Sequence, residues 1–394
     1  MNIFVVLPRF PYPLEKGDKL RAFHQIEYLS KNNDVYLFCV SHVDVPQEWV
    51  DKLKPFCKEI RIAHPCRLVS YKNVVRNFLR SKSLQLGYWD STKARRMCKD
   101  FIQQVQPDVI YNQMVRTIHL VARHSQPKVM DFQDALSMNT ERRMDSVRQG
   151  FWHWVLHFEF KMLRSTEYNA FKIFDDLVII SETDADAIPH RKSGEIKIVP
   201  NGVDFDYFCP MPDVKKDFDI VFCGNMQYGP NVNAAQYLVR KVMPIVWRQM
   251  PQARLLIAGA SPKSQVRQLA STNVTVSGWV DDIRLSYASS KVFAAPMNMG
   301  SGLQNKLLEA MSMGIPCVSS SIANSALGAT PGEHILVGDD PQTFADHILS
   351  LLTNQAKSDK MAAAGHQYVK DHFEWSRFGA QLESILRNAA NKKN

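Results

Sequence analysis

Short apolar runs alternate with amphipathic stretches along most of this chain, and that alternation predicts parallel sheets covered by helices. In the first half the runs read as strands at 2–7, 34–40, 59–62, 108–111, 128–132 and 176–180. Between them, residues 19–29 carry apolar side chains at 20, 23, 26 and 29, the spacing of one helix face, and Trp49, Val50 and Leu53 suggest a shorter helix. The second half repeats the scheme, with strands at 219–223, 254–258, 273–276, 291–295 and 315–318. Between the two α/β units, Ile198-Val199-Pro200-Asn201-Gly202-Val203-Asp204 joins a strand end to a Pro-Asn-Gly turn, and Pro210 and Pro212 follow; a hinge is expected here. Residues 375–390 carry apolar side chains at 375, 378, 382, 385, 386 and 389, a helical stripe ahead of a polar tail. The expected division is therefore a first domain over 1–199, a second over 200–374, and a C-terminal helix and tail over 375–394.

Length and composition fit that picture. A chain of 394 residues exceeds one ordinary core, and its 45% apolar and 22% charged residues are those of a folded globular protein. No stretch reaches the roughly 20 uninterrupted apolar residues of a spanning helix. The richest, 151–163, is interrupted by His153, His157, Glu159 and Lys161. The sequence starts directly on strand-like residues with no export leader, and its seven cysteines are odd in number, scattered and free of C-x-x-C pairs. A cytoplasmic location, without disulfides or a zinc site, is the expectation.

Charge adds one local feature. Residues 1–200 hold 30 Lys and Arg against 23 Asp and Glu, whereas 201–394 hold 18 against 16. Within the first half, 67–99 contains nine basic residues and a single acid, Asp90, interleaved with Tyr71, Phe78, Leu79, Tyr88 and Trp89. That mixture suits an anionic membrane surface, such as the inner leaflet, or else an ordinary solvated helix face. The basicity is confined to one segment and no nucleic-acid motif accompanies it, so a nucleic-acid partner is not expected.

The most informative stretch is 294–318, which reads strand, glycine loop, helix, Gly-x-Pro turn, strand. Glycines at 300 and 302 let the backbone approach a ligand, and the helix beginning near Asn305 presents unpaired amides and its positive dipole end to an anion. A diphosphate suits that position. Lys306 can add a mobile charge, and Glu309, three residues on, can accept from ribose hydroxyls. The plain alternative is a helical Lys306–Glu309 ion pair beside a loop.

This stretch resembles the donor-binding signature of glycosyltransferase family 4, whose members have the GT-B fold, two facing Rossmann-like domains with a central cleft. In that resemblance Glu309 matches the second glutamate of a Glu-x7-Glu motif, which implies ribose binding, and the following 310–316 matches an Ala-Met-Ala-x-Gly-x-Pro run. The first glutamate falls at Ser301, so a contact to the donor sugar differs here. The form Gly-Ser-Gly-x-Gln-Asn-Lys is similar to a branch that includes sugar transferases of exopolysaccharide clusters. Val199-Pro200-Asn201-Gly202-Val203-Asp204 matches the family's hinge motif. The resemblance implies donor contacts from Gly224, Asn225 and Asn231, from Gly278, Trp279 and Val280 at the base, and from Ser301, Gly302, Leu303, Gln304, Asn305, Lys306 and Glu309. Trp279 reads equally as core filling.

In the first domain, residues 11–21 join a strand to a helix and aim backbone amides with Lys19 or Arg21 at the cleft, so Gly17, Asp18, Lys19 and Arg21 form the expected acceptor-side loop. A nicotinamide site would need Gly-x-Gly-x-x-Gly here, and only Gly17 is present. Relatives hold a histidine near the strand that here reads Lys128-Val129-Met130-Asp131-Phe132-Gln133-Asp134, which leaves Asp131 and Asp134 as catalytic candidates beside Lys306, or as helix caps.

The expected activity is retaining transfer of a sugar from a nucleotide diphosphate donor to a glycan or lipid-linked saccharide. Neither a cofactor nor a metal is expected. The rivals are a GT-B protein that binds sugar nucleotide without turnover, a nucleotide-sugar epimerase, and a nucleic-acid binder.

Overall fold

The computed structural model describes residues 1–14, 16–145, 147, 149–299 and 302–392. The chain divides into two compact units, Met1–Pro200 together with Trp375–Asn394, and Asn201–Glu374.

In the first unit the strands are β1 (Asn2–Leu7), β2 (Asp34–Val40), β3 (Glu59–Ala63), β4 (Val109–Gln113), β5 (Lys128–Asp131), β6 (Asp176–Ile179) and β7 (Lys197–Ile198). They form one sheet in the order β3-β2-β1-β4-β5-β6-β7, and every pairing is parallel. A parallel sheet is covered on both faces, and accordingly Ile3 through Leu7 are all buried. Helices that matter below are α1 (Gly17–Ser30), α2 (Arg67–Leu79), α3 (Leu84–Trp89), α4 (Thr92–Val105) and α5 (Phe151–Ala170).

The second unit contains β8 (Phe218–Cys223), β9 (Leu255–Ala258), β10 (Val274–Gly278), β11 (Ser290–Ala295), β12 (Cys317–Ser319) and β13 (Leu336–Val337), again a parallel sheet, in the order β10-β9-β8-β11-β12-β13. Helices α6 (Gly229–Tyr237) and α7 (Asn305–Ser312) follow β8 and β11. The last helix, α8 (Trp375–Asn391), returns to the first unit. Its apolar stripe is buried at Leu382, Ile385, Leu386 and Ala389, Trp375 stacks on His24 with ring centroids 5.0 Å apart, and Asn33 donates to Glu383 at 3.0 Å. Gly379 permits this docking, because a Cβ there would sit 2.2 Å from the Tyr28 ring.

Both units are Rossmann-like, as the alternation of runs and amphipathic stretches predicts. In each, strand order reverses once, between β1 and β4 and between β8 and β11. At such a switch point the loops leave the carboxyl ends of neighbouring strands in opposite directions and open a crevice, which is where α/β sheets bind ligands. β7 and β13 are two residues each, too short to show a period in the sequence.

Candidate functional site

At the second unit's switch point, the chain leaving β8 turns through Gly224 and Asn225 into α6, and the chain leaving β11 runs through Met297 to α7. Asn231, buried in the first turn of α6, ties the two together. Its Nδ2 donates to the Asn225 carbonyl at 3.0 Å, and its Oδ1 accepts from Lys306 Nζ at 2.9 Å. Lys306 Nζ also donates to Gln304 Oε1 at 2.9 Å and lies 5.7 Å from the centre of the Phe222 ring. Burial lowers the Lys306 ammonium to about 8, against the pull of Glu309 and Cys223 in the other direction.

Lys306 and Glu309 do not make the ordinary helical pair. Glu309 Oε2 accepts instead from the Tyr287 hydroxyl at 2.7 Å, and burial raises the carboxyl above its usual range, partly offset by Tyr287 and Lys306. Each charged group of α7 is thus hydrogen-bonded to neutral partners, and the ammonium stands at the helix start without a direct ion pair to Glu309. No side chain caps that start: Gln304, the residue before α7, turns its amide to the Gly302 carbonyl at 2.8 Å. Uncapped amides, the dipole end and a cation together favour an anion at this position. Asn305 sits beside Asn201, 3.3 Å from its amide. The backbone of the β9 loop also closes on this place, since a Cβ on Gly259, whose φ is +137°, would fall 1.9 Å from the Gly224 carbonyl oxygen.

The structure brings Gly224, Asn225, Asn231, Gln304 and Lys306 into one bonded group, with Gly302, Leu303, Asn305 and Glu309 alongside. Gly300 and Ser301 lie outside the described residues. Gly278, Trp279 and Val280 stand at the end of β10. Trp279 is 60% exposed, its indole 3.3 Å from Asp281, so it does not fill the core. Tyr287 was not legible as a site residue: it is an aromatic in a six-residue helix, 22 positions from the carboxylate it holds.

At the first unit's switch point a shallow depression, partly open to solvent, is lined by Leu7, Pro8, Arg9, Asp18, Lys19 and Gln133 among others. Asp18 accepts from Arg9 at 3.0 Å, and Lys19 lies near the Tyr12 carbonyl and the Trp49 ring. Gly17 opens α1. Arg21, expected at the cleft, instead points inward: it is fully buried and bonds Asp131 and the Pro200 carbonyl. Asp131 is committed to that network, accepting from Arg21, Tyr111 and the Gln133 amide. Asp134 accepts from Asn139 at 2.7 Å through one oxygen, while its other oxygen is buried without a partner. Burial and nearby Asp184 raise its carboxyl to about 6.

Among the described residues, no group of three His, Cys, Asp or Glu side chains is arranged to hold a metal, and no helix is long and apolar enough to cross a membrane.

Comparison with known proteins agrees with this architecture. The family described as glycosyl transferases group 1 matches residues 217–354, which contain Asn231, Tyr287, Gln304, Lys306 and Glu309. Over 387 residues the chain is 22% identical to an uncharacterized 44.6 kDa protein in the cps region of Klebsiella pneumoniae, covering 95% of this chain and 96% of that one. It is 24% identical over 220 residues to a GDP-mannose-dependent phosphatidylinositol monomannoside mannosyltransferase of Mycolicibacterium smegmatis, a match spanning 49% of this chain and 56% of the relative. Among solved structures, a sucrose-phosphate synthase of Thermosynechococcus elongatus superposes with a TM-score of 0.72 at 15% identity, covering 98% of each chain. The UDP-glucose complex of Anabaena HepE gives 0.70 at 15% identity, covering 98% of this chain and 99% of that one.

Proposed function

We propose that this chain, whose residues 217–354 match the family of group 1 glycosyl transferases, moves a sugar from a nucleotide diphosphate donor to a saccharide acceptor in polysaccharide assembly. The observation that carries this is the cation at the uncapped start of α7, where Lys306 is held by Asn231 and Gln304 rather than paired directly with Glu309.

Departure of a nucleoside diphosphate develops negative charge. Amides and an ammonium already in position stabilise that charge more in the transition state than in the ground state, and they do so without reorganising. This chemistry asks for no metal, and the donor is a co-substrate rather than a resident cofactor. Glu309, oriented by Tyr287, accepts from the ribose hydroxyls. The ends of β10 and the exposed Trp279 flank the base. Retention at the anomeric carbon follows from the family resemblance. On the first unit, the depression bounded by Asp18 and Lys19 receives the acceptor, with Asp131 a positioning residue beneath and Asp134 a buried carboxylate within the electrostatic reach of Asp18. The uncharacterized relative in the cps region of Klebsiella pneumoniae and the UDP-glucose complex of HepE both support this reading.

Lys306→Ala and Glu309→Ala should each weaken use of the donor while leaving thermal unfolding nearly unchanged; normal donor kinetics in both variants would sink the assignment. A protein that binds the donor without turnover is the second reading, favoured by Ser301 at the position of the first glutamate. Donor binding by calorimetry with no sugar transferred or released across varied acceptors would select it.

A further inference from the structure

Helix α2 is built inside out. Its buried positions are Ser70, Asn73 and Asn77, all polar, while Leu68, Tyr71, Val75, Phe78 and Leu79 face outward, with Leu68 and Leu79 73% and 77% exposed. The spacing is that of a helix stripe, so the apolar face is continuous and turned away from its own domain. The polar face is not waiting for a partner. Asn73 donates to the Asp90 carbonyl at 2.6 Å, Asn77 to the Ser83 carbonyl at 2.9 Å, and Ser70 meets His42 at 3.0 Å. The domain therefore fixes α2 in this orientation and keeps its apolar stripe in water.

A second element enlarges the face. Phe78 contacts Trp154 and Phe158 of α5 with ring centroids 5.6 and 5.0 Å apart, and the neighbouring Trp152 is 68% exposed. The junction is rigid because Glu159 of α5 accepts from Ser83 and from the Leu84 and Gln85 amides at the start of α3. Contiguous exposed apolar area of this kind marks an interaction site.

Its charge identifies the partner. No acidic residue occurs from Arg67 to Trp89 or from Phe151 to Phe158, while Arg67, Lys72, Arg80 and Lys82 are exposed around the stripe. Arg76 and Arg95 pair with Asp90, and Trp89 packs on His42, while the exposed Lys93, Arg96 and Lys99 of α4 have no large exposed apolar side chain on their own helix. The docking surface is thus α2 with the start of α5, rather than the whole of 67–99. An apolar stripe with Trp and Phe, flanked only by cations, is the pattern of a helix lying in the interface of an anionic bilayer. The geometry points to docking of the first unit on an anionic lipid surface, with Leu68, Leu79 and Trp152 inserted and the basic side chains at the headgroups. This stands independently of the donor reading.

The test is co-sedimentation of the full chain with vesicles of phosphatidylcholine, or of phosphatidylcholine with a third replaced by phosphatidylglycerol. Binding should be confined to the anionic vesicles. It should weaken about fivefold for each basic side chain removed in Arg80→Gln and Lys82→Gln, and disappear in the triple variant Leu68→Gln, Leu79→Gln, Trp152→Gln. These side chains are exposed, so all variants should keep the parent unfolding temperature. Protein left in the supernatant with both vesicles, equal binding to both, or undiminished binding by the triple variant would each overturn the proposal. So would self-association of the parent that the triple variant abolishes in the absence of lipid binding, which would assign the face to a second copy of the chain.

Discussion

Arg21 Nε lies 2.7 Å from Asp131 Oδ2, and neither side chain has any exposed surface. The pair is closed on every side. Asp131 accepts also from the Tyr111 hydroxyl at 2.6 Å and the Gln133 amide at 2.8 Å, and the Tyr111 oxygen lies 2.8 Å from the Gln25 side chain. Helix α1 is thereby fastened beneath the ends of β4 and β5, under the loop that bounds the first unit's depression.

A buried pair stripped of one member leaves the other charge without compensation, which costs about 3–5 kcal/mol. Asp131→Asn and Arg21→Met should each destabilise the protein by that order in denaturant unfolding. The double variant Arg21→Met, Asp131→Leu should be less destabilised than the sum of its parts. A fully stable Asp131→Asn with lost activity would instead restore Asp131 as a catalytic carboxylate.

The hydroxyl of Tyr287 is a positioning group for Glu309. Its removal in Tyr287→Phe should lower donor kcat/KM by roughly fivefold, about 1 kcal/mol, the usual worth of one such hydrogen bond. Glu309→Ala should cost more. Equal effects of the two on nucleotide affinity would mean that Glu309 acts only through Tyr287; no effect of Tyr287→Phe would mean that α7 alone orients the carboxylate.

Lys306 titrates where assays can reach it. With an ammonium near 8, the free protein loses the cation as pH rises past that value, and a bound diphosphate must then recover the proton. Donor affinity should be flat below about 8 and fall up to tenfold per pH unit above it. Lys306→Arg, whose guanidinium stays charged, should flatten the profile even if it binds more weakly. An unchanged profile in that variant would place the titrating group elsewhere.

Much of this architecture is legible in the sequence, because buried parallel strands are continuous apolar runs and each unit repeats them. The site was readable in part. A glycine loop opening a helix that carries Lys306 is a local pattern, whereas the partner of Glu309 lies on another element and leaves no spacing signal. Arg21 shows the converse. A basic residue at the start of an amphipathic helix reads as solvent-facing, and only its acceptor, 110 positions away, reverses that. Helix α2, read from its basic and aromatic residues as an anionic-surface or solvated face, owes its outward apolar stripe to something composition does not show: Ser70, Asn73 and Asn77 find their hydrogen bonds inside.

Asp134 and Glu167 give the first unit an unusual dependence on pH. Burial raises Asp134 to about 6 and Glu167 to about 7, although Glu167 accepts from the Ser137 amide at 2.9 Å. Both folded values exceed those of the unfolded chain, so between about 4 and 7 the native state holds more protons than the unfolded one. Stability attributable to these two groups therefore falls as pH rises through that window, the reverse of a salt-bridged carboxylate. Asp134→Asn removes a charge whose buried oxygen has no partner, and it should stabilise the protein by on the order of 1 kcal/mol above neutrality while leaving it unchanged near pH 4. Unfolding followed across pH for parent and variant reads this directly. If the same variant also lowers turnover at saturating donor, the buried carboxylate is kept at the cost of stability for its action on the acceptor. Stabilisation with full activity would make it a structural residue alone.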